Sequence, residues 1–223
     1  MIKRTLFLYF IFFILGACTI SFLKVLAFDY PQINVTRRSH CDHCSRILRW
    51  YEIIPIIGYF IVHGKCSQCK MQLDFYNPVQ ELLAGLFFGC IMYSGDYSYL
   101  PIFIMLTILA FTDHYYGYVY PIFYLLSLPT IILNLAQLHP LNSILIYLFL
   151  LLLSKRFELG LGDIEVMTIL GLIFNITPFL YIVSLACLLC LLTYLGTKKR
   201  SFRFIPYLAI ATGVIYLIFL FRI

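Results

Sequence analysis

Of the chain's 223 residues, 62% are hydrophobic and only 12% are charged, with a mean hydropathy of +0.94. A soluble domain carries about 25% charged residues, so this composition excludes one and predicts an all-α, polytopic membrane protein. The net charge of +6 is read as a topology signal rather than a nucleic-acid footprint; membrane lipid is an expected partner and nucleic acid is not.

The first apolar run covers residues 5–28, long enough for the roughly 20 residues that a bilayer crossing needs. Its start, Met1-Ile2-Lys3-Arg4 followed by an apolar stretch to Cys18, imitates a lipoprotein signal peptide. The run continues past Cys18 to Phe28, which suits a retained helix better. Residues 29–77 form the one long polar segment. Apolar stretches follow near 78–94, 99–112, 118–136, 141–154, 164–175, 178–196 and 204–221. The pattern predicts about eight transmembrane helices.

The pair 164–175 and 178–196 needs an argument, since one helix through both would run about 50 Å against a hydrocarbon core of about 30 Å. Pro178 also interrupts the backbone ladder. With eight spans, the loops 29–77, 113–118, 155–163 and 197–203 share a side and hold twelve of the sixteen basic residues. Lys3, Arg4 and Arg222 lie opposite, and Lys24 falls inside a span. Basic loops stay in the cytosol, so a multi-pass protein of the cytoplasmic (inner) membrane is expected, with both termini outside. The chain then divides into a first transmembrane helix (1–28), a cytoplasmic four-cysteine loop (29–77) and a transmembrane core (78–223).

The polar segment carries Cys41-x2-Cys44 and Cys66-x2-Cys69, separated by 21 residues. Each pair offers two thiolates to one tetrahedral ion, and the spacing is near that of structural zinc sites. Disulfides are disfavoured in a reducing cytosol, and a polar loop without a core gains stability from a metal. A redox pair and unbound thiols are the competing readings. His40 and His43 are substitutes only if the thiolate set is incomplete. The stretch Trp50-Tyr51-Glu52-Ile53-Ile54-Pro55 is expected to pack on the knuckles or on the membrane surface.

Two acids stand at the ends of apolar spans: Asp113 in Phe111-Thr112-Asp113-His114, and Asp163 in Gly160-Leu161-Gly162-Asp163. Acids at membrane depth are expensive and usually functional. A facing pair can hydrolyse an amide, one carboxylate taking a proton from water while its protonated partner polarises the carbonyl. Such a pair shares a proton and titrates as a unit. The competing reading makes both of them helix caps. Glu81 is a cap or a functional acid, and Glu158 and Glu165 are expected to balance Lys155 and Arg156.

These residues resemble the type IV prepilin leader peptidases. Arg38-Ser39-His40-Cys41-Asp42-His43-Cys44, Leu48-Arg49-Trp50-Tyr51-Glu52-Ile53-Ile54-Pro55 and Gly64-Lys65-Cys66-Ser67-Gln68-Cys69 are similar to that family's cysteine-loop signature. Tyr76-Asn77-Pro78-Val79-Gln80-Glu81 resembles its Tyr-Pro-x-x-Glu, and Gly16 with Ser21-Phe22-Leu23 resembles its first helix. Asp113 and Asp163 occupy the positions of its two catalytic aspartates, and the length is similar to that of competence-type members of Gram-positive bacteria. Three positions depart from the pattern: Tyr120, Pro121 and Ile122 replace a proline followed by Asp or Asn, Glu165 replaces a lysine, and Lys24 replaces an asparagine.

The resemblance implies that 78–223 is an aspartic peptidase core. It implies removal of a short basic leader from prepilin-like proteins at the cytoplasmic face. It also implies N-methylation of the new terminus where S-adenosylmethionine is used, an activity linked to the cysteine loop. A non-enzymatic scaffold of a pilus or DNA-uptake machine is the alternative. A presenilin-type Gly-x-Gly-Asp protease is a third reading, which the cysteine loop opposes.

Overall fold

A computed structural model describes residues 2–32, 38–41, 43–157, 159–197 and 203–220. Among them the regular structure is helical, and the only sheet-like pairings are the isolated bridges His40–Ile47 and Lys65–Gln72. The chain forms two compact units, Met1–Gly95 and Asp96–Ile223.

In the first unit, α1 (Ile2–Asp29) packs along α3 (Tyr76–Ser94), and the cysteine loop runs between them in sequence. The contact is close because small residues face the partner: a Cβ on Gly16 would fall 2.5 Å from the Ala84 carbonyl oxygen, and one on Gly85 would meet the Phe13 ring at 2.7 Å. Close backbone approach of this kind drives helix association where lipid removes the hydrophobic term. Lys24 does not face the apolar interior unaided, since its Nζ donates to Asn77 Oδ1 and, at 3.5 Å, to Gln80 Oε1. Between the two helices lie a short helical turn at Trp50–Glu52 and α2 (Ile57–Ile61).

The second unit is built around α4 (Leu100–Tyr116). Ile102, Met105, Leu106, Ile108 and Leu109 are buried on several of its sides, as expected of a helix enclosed by others. After it come α5 (Leu128–Leu133), α6 (Pro140–Phe157), α7 (Leu161–Ile173), α8 (Ile176–Thr197) and α9 (Ile205–Leu220). Helix α9 packs on α4 and α8, and α6 packs on α7. Ser143 Oγ donates to the Thr168 carbonyl (3.1 Å) and the His139 N–H to that of Leu172 (2.9 Å), which fixes the register of α6 against α7.

Among the described residues two helices, Leu6–Asp29 and Ile176–Gly196, are long and apolar enough to cross a membrane. The outer faces of α1, α6 and α8 are covered with exposed leucine and phenylalanine side chains, among them Phe10, Leu145, Leu152, Leu188 and Leu195. A soluble monomer rarely exposes so many large apolar side chains along single helices; they suit lipid.

Seven of the eight expected stretches are single helices. The exception is 118–136, which divides into a 3-10 segment Pro121–Ser127, α5 and a 3-10 turn Leu135–Gln137. Pro121 and Pro129 each open one of these segments, because proline removes a ladder donor and is tolerated only in a first turn. The expected break before 178 is also relocated. Phe174 is extended, α8 starts at Ile176, and Pro178 sits harmlessly in its first turn. The Asn175 side chain accepts the Ile176 N–H (2.6 Å) and so starts α8.

Candidate active site and metal-binding loop

Each cysteine pair lies in a turn built the same way, 25 residues apart. Cys41 N–H donates to the Arg46 carbonyl and Cys66 N–H to that of Met71, both at 2.9 Å. Ser45 N–H donates to Cys41 and Lys70 N–H to Cys66; Leu48 N–H donates to Ser39 and Leu73 N–H to Gly64. Ser45 (φ 54°) and Lys70 (φ 61°) turn through the left-handed region at matching places. The loop is therefore a duplicated knuckle.

The two knuckles bring the Sγ atoms of Cys41, Cys44, Cys66 and Cys69 within 4.8 Å of one another, a set that could hold a metal ion. Cys41 and Cys69 are 3.8 Å apart and Cys44 and Cys66 are 3.9 Å apart, sulfur to sulfur. Four sulfurs about 2.3 Å from a tetrahedral zinc would stand roughly 3.8 Å from one another, so the spacing fits. His40 and His43 are outside this cluster. Backbone N–H groups of Cys69 and Gln68 hold the Cys66 thiol down at about 6, while at Cys69 the Met71 N–H is outweighed by burial and the neighbouring Cys66, Cys44 and Cys41 sulfurs, which push its thiol up to about 11.

Behind the sulfurs, Glu52 ties one knuckle to the other. Its carboxylate accepts both 2.8 Å bonds from Arg46 Nη2, a 2.7 Å bond from the Arg49 N–H and a bond from the Ser67 hydroxyl. The side chain is only 3% exposed. Burial pushes its carboxyl up, but the bonds from Ser67, Arg46 and Arg49 outweigh burial and hold it at about 2 instead of 4.5. Trp50, by contrast, is 78% exposed; it does not pack on the knuckles.

Glu81 has a use that its sequence position did not reveal. Its Oε2 accepts the Ile56 N–H at 2.7 Å, and Ile56, at φ 63°, holds a conformation costly for a β-branched residue. Nothing local signals this pairing, because the partners are 25 residues apart.

In the second unit, Asp113 lies one turn before Gly117, which closes α4 in the left-handed conformation and donates its N–H to the Asp113 carbonyl (2.8 Å). This is the negative end of the helix, where a carboxylate is unfavourable, so the cap reading fails for Asp113. The side chain is 7% exposed, and Oδ2 is buried with no hydrogen-bond partner among the described residues. Positive potential comes from the Arg203 charge and from the N–H of Ile205 at the start of α9.

Asp163 is the third residue of α7, folded back over Gly160, the residue before the helix. It is close enough to Asp113 for the two charges to repel. The approach depends on Gly162: a Cβ there would fall 2.6 Å from Val119 Cγ2. Because that position is bare, the turn after α4 rests on the first turn of α7. Glu165 does not make the ion pair expected of it. It has no ion pair among the described residues, and Glu158 lies outside them.

Residues 14–94 match the family model for the bacterial peptidase A24 N-terminal domain, a stretch that ends beside the boundary of the first compact unit. A prepilin leader peptidase/N-methyltransferase of Bacillus subtilis is 27% identical over 82% of this chain and 82% of its own. The chain is similar in sequence to prepilin leader peptidases. A gonococcal enzyme of the same description (Neisseria gonorrhoeae) is 27% identical over 80% of this chain and 70% of its own. One from Myxococcus xanthus is 36% identical over 45% of this chain, a match spanning 32% of the relative's length. No solved structure matches.

Two outcomes follow. Gly162→Ala should drive the Val119 turn away and lower the thermal unfolding temperature of the purified protein, and adding Val119→Ala should restore much of it. Glu52, whose carboxyl is held low when folded, contributes loop stability above about 4.5 that is lost as pH falls toward about 2. Fluorescence of the sole tryptophan, Trp50, should show that acid limb flattened in Glu52→Gln. The difference between the two proteins isolates the carboxylate from thiol protonation, which both share.

Proposed function

We propose that this chain is a membrane aspartic endopeptidase that removes the short basic leader of prepilin-like proteins at the cytoplasmic face. The observation that carries the reading is the pairing of Asp113 with Asp163 across the ends of α4 and α7, within reach of one another's charge. The relatives' shared description as prepilin leader peptidases supports it.

In this reading the ionised carboxylate of the pair removes a proton from water. The resulting oxygen attacks the scissile carbonyl, whose oxygen is polarised by the protonated partner. That partner then gives its proton to the leaving amine. Like charges at close range favour the singly protonated pair that this sequence needs. The Arg203 charge and the Ile205 N–H at the start of α9 offset part of the cost of a carboxylate inside an apolar bundle.

Zinc held by Cys41, Cys44, Cys66 and Cys69 supplies structure to the loop and no step of hydrolysis. Methyl transfer belongs to the relatives whose descriptions include it. Among the described residues there is no glycine-rich loop of the kind that cradles a nucleotide, and no step is assigned to S-adenosylmethionine.

Asp113→Asn and Asp163→Asn should each stop leader removal, by about a hundredfold or more, at unchanged protein level. Unaltered processing in both variants leaves the scaffold reading. Replacing Cys41 and Cys66 by Ser should lower bound zinc from about one per chain, measured by elemental analysis of purified protein. Wild-type protein without stoichiometric metal would remove the zinc.

A further inference from the structure

The loop between α1 and α3 carries an apolar surface that neither the four-sulfur cage nor the paired carboxylates use. Helix α2 presents it. Ile57, Phe60 and Ile61, spaced i, i+3 and i+4, are all exposed, the pattern of one apolar helix face. Another side of α2 is already occupied. Gly58 is buried there, and a Cβ on it would fall 2.5 Å from the Glu52 carbonyl oxygen.

Depth decides what covers the outer face. Helices α1 and α3 pack antiparallel, with Lys24 reaching Asn77 and Gln80 while Gly16 abuts Ala84 and Phe88. The start of α3 therefore stands beside Lys24, and α1 runs on past that level through Val25, Leu26 and Phe28. Two contacts hold α2 at the same height. The Tyr59 ring packs edge-on against Phe75, the residue before α3, with centroids 5.9 Å apart. Glu81, in the second turn of α3, accepts the Ile56 N–H at 2.7 Å. Helix α2 thus lies level with the last turns of the crossing helix α1, not beyond its end. Phe22 and Val25 on α1 and Tyr76 on α3 are exposed at this level as well, so the α2 face continues the apolar surface that those two helices turn to lipid.

We propose that α2 is an interfacial helix that sinks its Ile57, Phe60 and Ile61 face into the acyl region of the adjacent leaflet, with phospholipid as its ligand. Interfacial helices bury their apolar face about 5–10 Å into the boundary between headgroups and chains. The five residues from Lys24 to Asp29 rise about 7.5 Å, which puts α2 within that range. The inference rests on α1 and α3 crossing the bilayer and not on the peptidase reading. It also gives the cage a fixed height. Glu52, whose carbonyl meets Gly58, holds Arg46 and Ser67 through its carboxylate, so lipid contact at α2 sets how far the knuckles stand from the membrane.

The test uses full-length protein in phosphatidylcholine vesicles whose lipids are unlabelled, brominated near the headgroup, or brominated near the chain ends. Trp50→Phe removes the sole tryptophan, and Phe60→Trp in that background places a probe on the α2 face. Ile57→Trp replaces it if that variant does not accumulate. Bromine near the headgroup should lower the emission about twofold, as expected for a ring immersed just below the boundary, with less effect from bromine near the chain ends and little from aqueous iodide. Emission that ignores bromine and falls with iodide puts the face in water; emission that ignores both puts protein over it. Either result overturns the proposal. Phe22→Trp reports α1 separately: quenching there without quenching at position 60 overturns the α2 proposal alone, and no bromine quenching at position 22 overturns the crossing of α1 on which it rests.

Discussion

The arrangement turns on a contact that a single methyl group would forbid. Two carboxylates repel, and an apolar helical bundle offers them little solvation, so their approach has to be imposed by packing. Here it is imposed by the turn after α4 resting on a bare stretch of α7, with Val119 occupying the space that a side chain at Gly162 would fill. The opposing cost is moderated by Arg203 and the start of α9.

Much of this was visible in the sequence because its signals are local or periodic. Apolar runs, the paired cysteines and the glycine-flanked Asp163 each announce themselves within a few residues. What was hidden depends on partners far apart in the chain. Glu81 reads equally as a cap or a functional acid until Ile56 is seen across from it, and Glu165 reads as a balance for Lys155 and Arg156 until it is found in an open groove with Tyr124 and Tyr147. The span 118–136 went astray for another reason. Its hydropathy is that of a crossing helix, but two prolines fragment the backbone while leaving the apolar content untouched, so composition and continuity disagree.

The cysteine loop shows duplication doing the work of a core. Each knuckle alone is a turn of a few hydrogen bonds, too small to fold unaided. Placed 25 residues apart with matching bonds, the pair forms a four-sulfur cage, and Glu52 links the halves through Arg46 and Ser67. A charge buried this fully is normally a liability. Here three donor groups give it four hydrogen bonds, which turns the liability into a brace.

The bond from Glu81 to the backbone of Ile56 carries a mechanical consequence. The loop is anchored by its two ends to α1 and α3, and this third tether, near its middle, starts from α3 as well. A domain held at two points can swivel about the line joining them; one held at three has no free axis. Any shift of the loop would then have to travel with α3, as a rotation of that helix, and the tension at Ile56 would be the hinge that records it.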